Sequence, residues 1–262
     1  MKMKLRKILS VLPFAAEETA VASSASTEVD SEEFWQKVYD ERTAYYEKHI
    51  GTFPDDILKM GNMTGVWPGG GLFVMPADKL GKGLWAYTTF GMSNPDMPAS
   101  TVMEDYKIEV DDQGQTSKYS GSLQNKKQAQ SPDGAAGYGY EMIIIAKENA
   151  EWPLWFMQWT VNAEILNDAG ILERVEEYNG LTVQDIQVGE SESINVLIAK
   201  ANKPLPAGLS LPNGKMDILI ATVITDAEMQ WSMENGRDVL LTKLSESGAG
   251  QISDRNRKSV VK

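Results

Sequence analysis

The sequence predicts one α/β or α+β domain over residues 30–262, a mixed β-sheet with helices packed against it. Three observations predict this class. Strand-like and helix-like segments interleave, and no linker divides the chain into halves. Residues 142–145 (MIII) form a continuous apolar run, the mark of a strand buried on both faces. Two capping-box patterns, one early and one late, mark helix starts around the strand-rich middle.

Residues 1–29 stand apart as a flexible leader or a signal segment. Basic MKMKLRK, apolar ILSVLPFAA and small-residue AVASSAS follow the order of an export signal. Glu17, Glu18 and Pro13 argue against one. Regular structure is expected from DSEE, with Asp30 as N-cap and Glu33 three residues on. Phe34, Val38 and Tyr45, with Trp35, Tyr39 and Tyr46 beside them, then give a helical stripe that ends at Gly51. His49 falls in the last turn, where a cation suits the helix dipole, and reads as a surface or capping histidine.

Residues 66–76 (VWPGGGLFVMP) read as a turn into a short strand. No Gly-Lys-Ser/Thr follows, so they make no phosphate loop. Strand character returns at 83–93 and 105–110. Residues 111–133 are polar and long for a loop, which predicts a mobile surface segment or a functional one. In GAAGYGYE the glycines precede a strand in G-x-x-G-x-G order, so no dinucleotide fingerprint is present. They read as an entry turn into the central strand. EWPLWFMQWTVNAEILNDAG predicts a helix with Pro153 in its first turn and Gly170 at its end. Trp155, Trp159 and Leu166 mark its core face, which Phe156 widens. Strands follow at 181–188, 194–200 and 216–225. Thr225 and Glu228 form the second capping box, opening a helix through Met229, Trp231 and Met233, and a last helical piece covers 239–244. Three or four helices result.

A hydrophobic share of 42%, with 7 Trp, 9 Tyr and 6 Phe, supports an aromatic-rich core. The balance of 37 acids against 25 bases gives −12, a charge that repels nucleic acid and anionic membrane and favours a basic protein partner. No cysteine occurs and His49 is the one histidine, which excludes thiolate metal sites, cysteine nucleophiles and any histidine-rich metal centre. A Ser-His-Asp triad is improbable, because no G-x-S-x-G elbow accompanies that histidine. No cofactor is expected, and no stretch outside the leader approaches the roughly 18 apolar residues of a membrane span.

Carboxylates are the remaining route to chemistry. Glu104 with Asp105, Asp111 with Asp112, and Glu173 with Glu176 and Glu177 read as solvated acidic faces. Glu141 differs, because it stands between Tyr140 and an apolar strand. A buried carboxylate is paired or functional. It is a structural anchor if Arg174, Arg237 or Arg255 pairs with it, and a catalytic acid otherwise.

Gly137, Tyr138, Gly139, Tyr140 and Glu141, running into an apolar strand, resemble the signature of the Suppressor of fused family. LWAYTTFGMSNP at 84–95, the Trp152–Pro153 helix, and the closing strand and helix with Thr225 and Glu228 are similar to further family segments in the same order. ISDRNRKSVV also resembles the end of bacterial members. The resemblance covers most of 34–261 and implies the family fold and a binding domain without catalytic activity. It does not carry transcription-factor binding, because the animal protein's additional C-terminal domain is not matched. Bacterial members resemble immunity proteins that neutralise a toxin. The expected function is therefore a cytoplasmic, immunity-type inhibitor of a basic toxin or similar partner, with Trp67 or Trp85 as interface anchors. A carboxylate enzyme using Glu141, or an exported binding protein if the leader is a signal, is the alternative.

Overall fold

The structure, a computed structural model, describes residues 28–62, 65–94, 97–112, 116–126, 133–188 and 192–262. Nearly all of the leader, and any cleavage within it, lies outside them. The described elements are α1 (Glu28–His49), β1 (Leu58–Asn62), β2 (Gly65–Pro76), β3 (Trp85–Thr89), β4 (Ser100–Val110), β5 (Thr116–Lys126) and β6 (Ala135–Ala146). There follow α2 (Trp152–Asn167), α3 (Ile171–Glu177), β7 (Leu181–Gln187), β8 (Ser193–Lys200), β9 (Gly208–Leu211), β10 (Gly214–Ile224), α4 (Asp226–Asn235) and α5 (Arg237–Glu246).

Eight strands form one mixed sheet, ordered β1-β2-β3-β6-β10-β8-β7, with β9 paired to β10. Its two central strands, β6 and β10, run parallel, and its other described pairs are antiparallel. Apolar runs at 142–145 and 218–221 fit the centre because both faces there are covered. Strand alternation sorts the side chains. Tyr140, Met142 and Ile144 of β6 pack with Phe156, Val161 and Ile165 of α2 and Ile171 of α3. Ile143 and Ile145 face Val38, Tyr45 and Tyr46 of α1. Leu197 and Ile224 seat Met229 of α4 and Leu240 and Leu244 of α5. Each such side chain contributes roughly 1.5–3 kcal/mol by leaving water.

Several expectations are corrected. Asp30 lies inside α1, so it is no N-cap, and Phe34 is 38% exposed. The triple glycine lies within the long strand β2. Gly170 does not end α2. Asp168 caps α2, and Gly170 opens α3, which makes five described helices. Part of the polar segment 111–133 is a strand: β5 pairs with β4 in a separate two-stranded sheet. Its first strand, β4, contains the strand character read at 105–110, whereas β5, with the sequence TSKYSGSLQNK, has no apolar alternation for a periodicity reading to find. Lys107, Ile108 and Glu109 are successive exposed residues of β4.

The predicted face of α2 holds at Phe156 and Leu166, which pack into the core, and fails at its tryptophans. Trp152, Phe156, Met157, Thr160, Val161 and Ile165 are buried, whereas Trp155 and Trp159 point outward. Apolar letters circle this helix, so periodicity alone left two solutions.

Candidate functional site

The glycine–tyrosine run is a docking seam. Gly137 has φ +56°, and a Cβ there would lie 2.5 Å from the Met92 carbonyl oxygen. Its missing side chain lets the 91–93 turn close on β6, where the Tyr138 N–H donates to Met92 O at 2.8 Å. Tyr138 Oη donates to Pro98 O at 2.5 Å, and Tyr140 Oη donates to Glu164 at 3.4 Å across the α2 face.

Glu141 points to the opposite face and is fully buried. Its Oε1 accepts from Arg42 Nη1 at 3.0 Å, Gly91 N at 2.9 Å, Ser93 N at 3.0 Å and Ser93 Oγ at 2.6 Å. Its Oε2 accepts from Thr89 Oγ1 at 2.6 Å and Met92 N at 3.3 Å. A carboxylate offers about four lone-pair sites. The six donors saturate them and leave no acceptor free for a substrate proton.

The cation beside Glu141 is Arg42 of α1, also 0% exposed, and not Arg174, Arg237 or Arg255. Arg237 donates to Thr182, and Arg255 pairs with Glu148 and Glu192. The Arg42 guanidinium lies 3.8 Å from the Phe90 ring centroid and 5.1 Å from that of Tyr39. These π faces stand in for the polar partners that its Nε and Nη2 lack among the described residues. Removing one member of such a pair costs about 3–5 kcal/mol, because the other charge is left buried. The cluster therefore clamps α1 to the sheet.

Glu164 is a second buried carboxyl. Burial pushes it up to about 7, the Ile171 N–H pulls it back, and Glu173 adds to the rise. It does not face Glu141, because the two reach opposite faces of β6 through adjacent residues, Tyr140 and Glu141. The sheet thus separates the acids that a carboxylate mechanism would have to bring together. The clusters at Glu104–Asp105, Asp111–Asp112 and Glu173–Glu177 are exposed. Among the described residues no group of three ligands could hold a metal ion.

Glu228 completes the late capping box, taking the Thr225 N–H at 2.9 Å while Thr225 Oγ1 takes the Glu228 N–H at 3.3 Å. It also binds Arg257 and the Val260 N–H at 2.8 Å, fastening the C-terminal tail. Trp152 and Pro153 are buried in the first turn of α2.

Neither of the tryptophans expected at an interface, Trp67 and Trp85, is fully exposed. Trp67 is 2% exposed and donates its indole N–H to Asn162 Oδ1 at 2.9 Å. Trp85 is half-buried on β3 and packs against the core. The outward pair is Trp155 at 51% and Trp159 at 38% exposure, one helical turn apart. Their neighbour Gln158 grips Gly61 of edge strand β1 with both amide atoms, accepting at 2.8 Å and donating at 2.6 Å. Beside that same hairpin a cleft of about 420 Å³ opens, with Tyr39, Trp67 and Phe90 as walls and Ile57 and Val66 at its mouth. The Phe90 that Arg42 supports is thus one wall of the cleft. No helix among the described residues is long and apolar enough to cross a membrane.

The family model described as Suppressor of fused protein (SUFU) matches residues 68–258. A structure described as a suppressor of fused homolog from Neisseria gonorrhoeae FA 1090 superposes with TM-score 0.48 at 17% identity, over 88% of this chain and 98% of that one. The Sufu–Fu complex gives TM-score 0.49 at 13% identity, over 87% and 92%. Drosophila Suppressor of Fused gives TM-score 0.49 at 13% identity, over 87% of this chain and 51% of that one. No curated protein matches the chain.

Proposed function

The chain belongs to the Suppressor of fused family, and from that premise we propose a non-catalytic protein-binding domain, an immunity-type inhibitor that occludes a basic toxin or similar partner. A Sufu of this family is held in a complex with Fu, and protein binding is the activity taken over from the family. The carrying observation is the pair Trp155 and Trp159, held in water on α2 of a chain with net charge −12. Exposed tryptophans are large, stiff anchors that gain most from being covered, and acidic surroundings accelerate encounter with a cation-rich partner. The saturated Glu141 supports inhibition by occlusion over catalysis.

The inhibitor works in the cytoplasm, and mass spectrometry of the mature N-terminus checks that, because a cleaved leader would relocate it. The functional experiment expresses the chain together with the toxin-like proteins encoded beside it and counts survivors. The wild type is expected to protect, and a Trp155→Ala/Trp159→Ala variant with unchanged circular dichroism to lose at least tenfold. Absence of any protection by the wild type overturns the immunity reading.

A further inference from the structure

The cleft beside β1 and β2 has the build of an anchor pocket. Ile57 and Val66 at its mouth are 48% and 51% exposed, so apolar surface waits there to be covered. Its walls are fixed before any partner arrives. Arg42 lies against the Phe90 and Tyr39 rings, and the Trp67 indole is tied to Asn162. Ile57 itself fits because Gly71 has no side chain: a Cβ there would lie 2.4 Å from Ile57 Cδ1. A preformed pocket spares the ordering cost that a mobile one carries.

Charge selects the occupant. Exposed Asp55 and Asp56 immediately precede Ile57, and exposed Asp40 follows Tyr39. These three carboxylates stand outside the lining, near in the chain to the lining residues Tyr39 and Ile57, whereas Lys59 is the one charged residue of the lining itself. Behind the aromatic walls the Arg42–Glu141 pair is net neutral, and the apolar lining disfavours a charged side chain because it would lose its water there. Cations therefore fit the rim, and an uncharged group fits the interior.

We propose that this cleft takes one large apolar side chain, leucine or phenylalanine in size, from a basic segment of the partner protein, with flanking lysines or arginines meeting Asp40, Asp55 and Asp56. This deepens the protein-binding reading and rests on it.

The test titrates the full chain by calorimetry with a capped twelve-residue peptide carrying four lysines around one central leucine. Two controls replace the leucine by serine or all lysines by glutamate. Both are expected to bind at least tenfold more weakly than the parent. Ile57→Ser/Val66→Ser should weaken the parent peptide about tenfold. Asp55→Lys/Asp56→Lys should weaken it similarly and flatten its salt dependence. Both variants alter exposed positions, and unchanged melting curves establish that they fold. No binding of the parent peptide, equal binding of the serine or glutamate control, or indifference to the mouth variants overturns the proposal. The survival assay separates the two readings. Protection that needs Trp155 and Trp159 but survives the mouth variants removes the cleft and keeps the inhibitor. Peptide binding at the cleft without protection removes the immunity role alone.

Discussion

Replacing Glu141 with glutamine changes almost no volume and tests whether this residue is a structural clamp. Either orientation of the amide turns an NH₂ toward donors. If the NH₂ takes the Oε1 position, it faces Arg42 Nη1, Gly91 N, Ser93 N and Ser93 Oγ; at Oε2 it faces Thr89 Oγ1 and Met92 N. At least two buried donors thus lose their acceptor, at roughly 1–3 kcal/mol each. Arg42 also keeps a buried charge without its counter-ion. Halving a buried pair costs about 3–5 kcal/mol by itself, and the two accounts overlap, so about 3–5 kcal/mol is the working figure. For a domain of this size each kcal/mol lowers Tm by roughly 2–4 °C, which predicts a fall of roughly 6–20 °C. Urea denaturation followed by far-ultraviolet circular dichroism measures the loss, and calorimetry gives Tm. The double variant Glu141→Gln/Arg42→Met should recover part of the loss, because the uncompensated Arg42 charge leaves while the amide oxygen still accepts from the 89–93 donors. A single variant within 1 kcal/mol of wild type, or a double variant no better than the single, refutes the clamp.

Two further outcomes follow from the same geometry. Glu164 holds its proton to about pH 7 in the fold against 4.5 ordinarily, so its contribution is complete below about pH 4.5 and is lost as pH rises through 7. At 1.36 kcal/mol per pH unit the loss is at most about 3–4 kcal/mol, and Glu164→Gln should gain on wild type between pH 5 and 8. Urea midpoints measured across that range check it, and a pH-independent difference contradicts it. Gly137→Ala should cost more than 1 kcal/mol, since alanine is strained at φ +56° and its methyl meets Met92 O, and a stability equal to wild type removes the seam argument.

Much of the strand and helix plan was legible. The apolar run of β6 marked a central strand, residues 216–225 were readable as a strand without a place in the sheet, and Thr225 with Glu228 named a helix start that the structure closes with both hydrogen bonds. The candidate site was legible only in halves. Glu141 stood out as a carboxyl beside an apolar run, yet Arg42, 99 residues upstream in a polar stretch of α1, carried no local mark of burial. The outward tryptophans of α2 were hidden for the opposite reason, that too many apolar residues crowd one helix. The cleft draws its walls from α1, β2 and the turn after β3, which no window along the chain joins.

Residue order by itself determined local conformation and the classes of chemistry that are closed, since backbone preference, capping and side-chain inventory act over a few neighbouring positions. Which arginine meets Glu141, which tryptophans stay wet and where a pocket opens were decided only when the sheet and helices packed. Those outcomes depend on distances between groups far apart in the chain, and such distances exist only in the folded state.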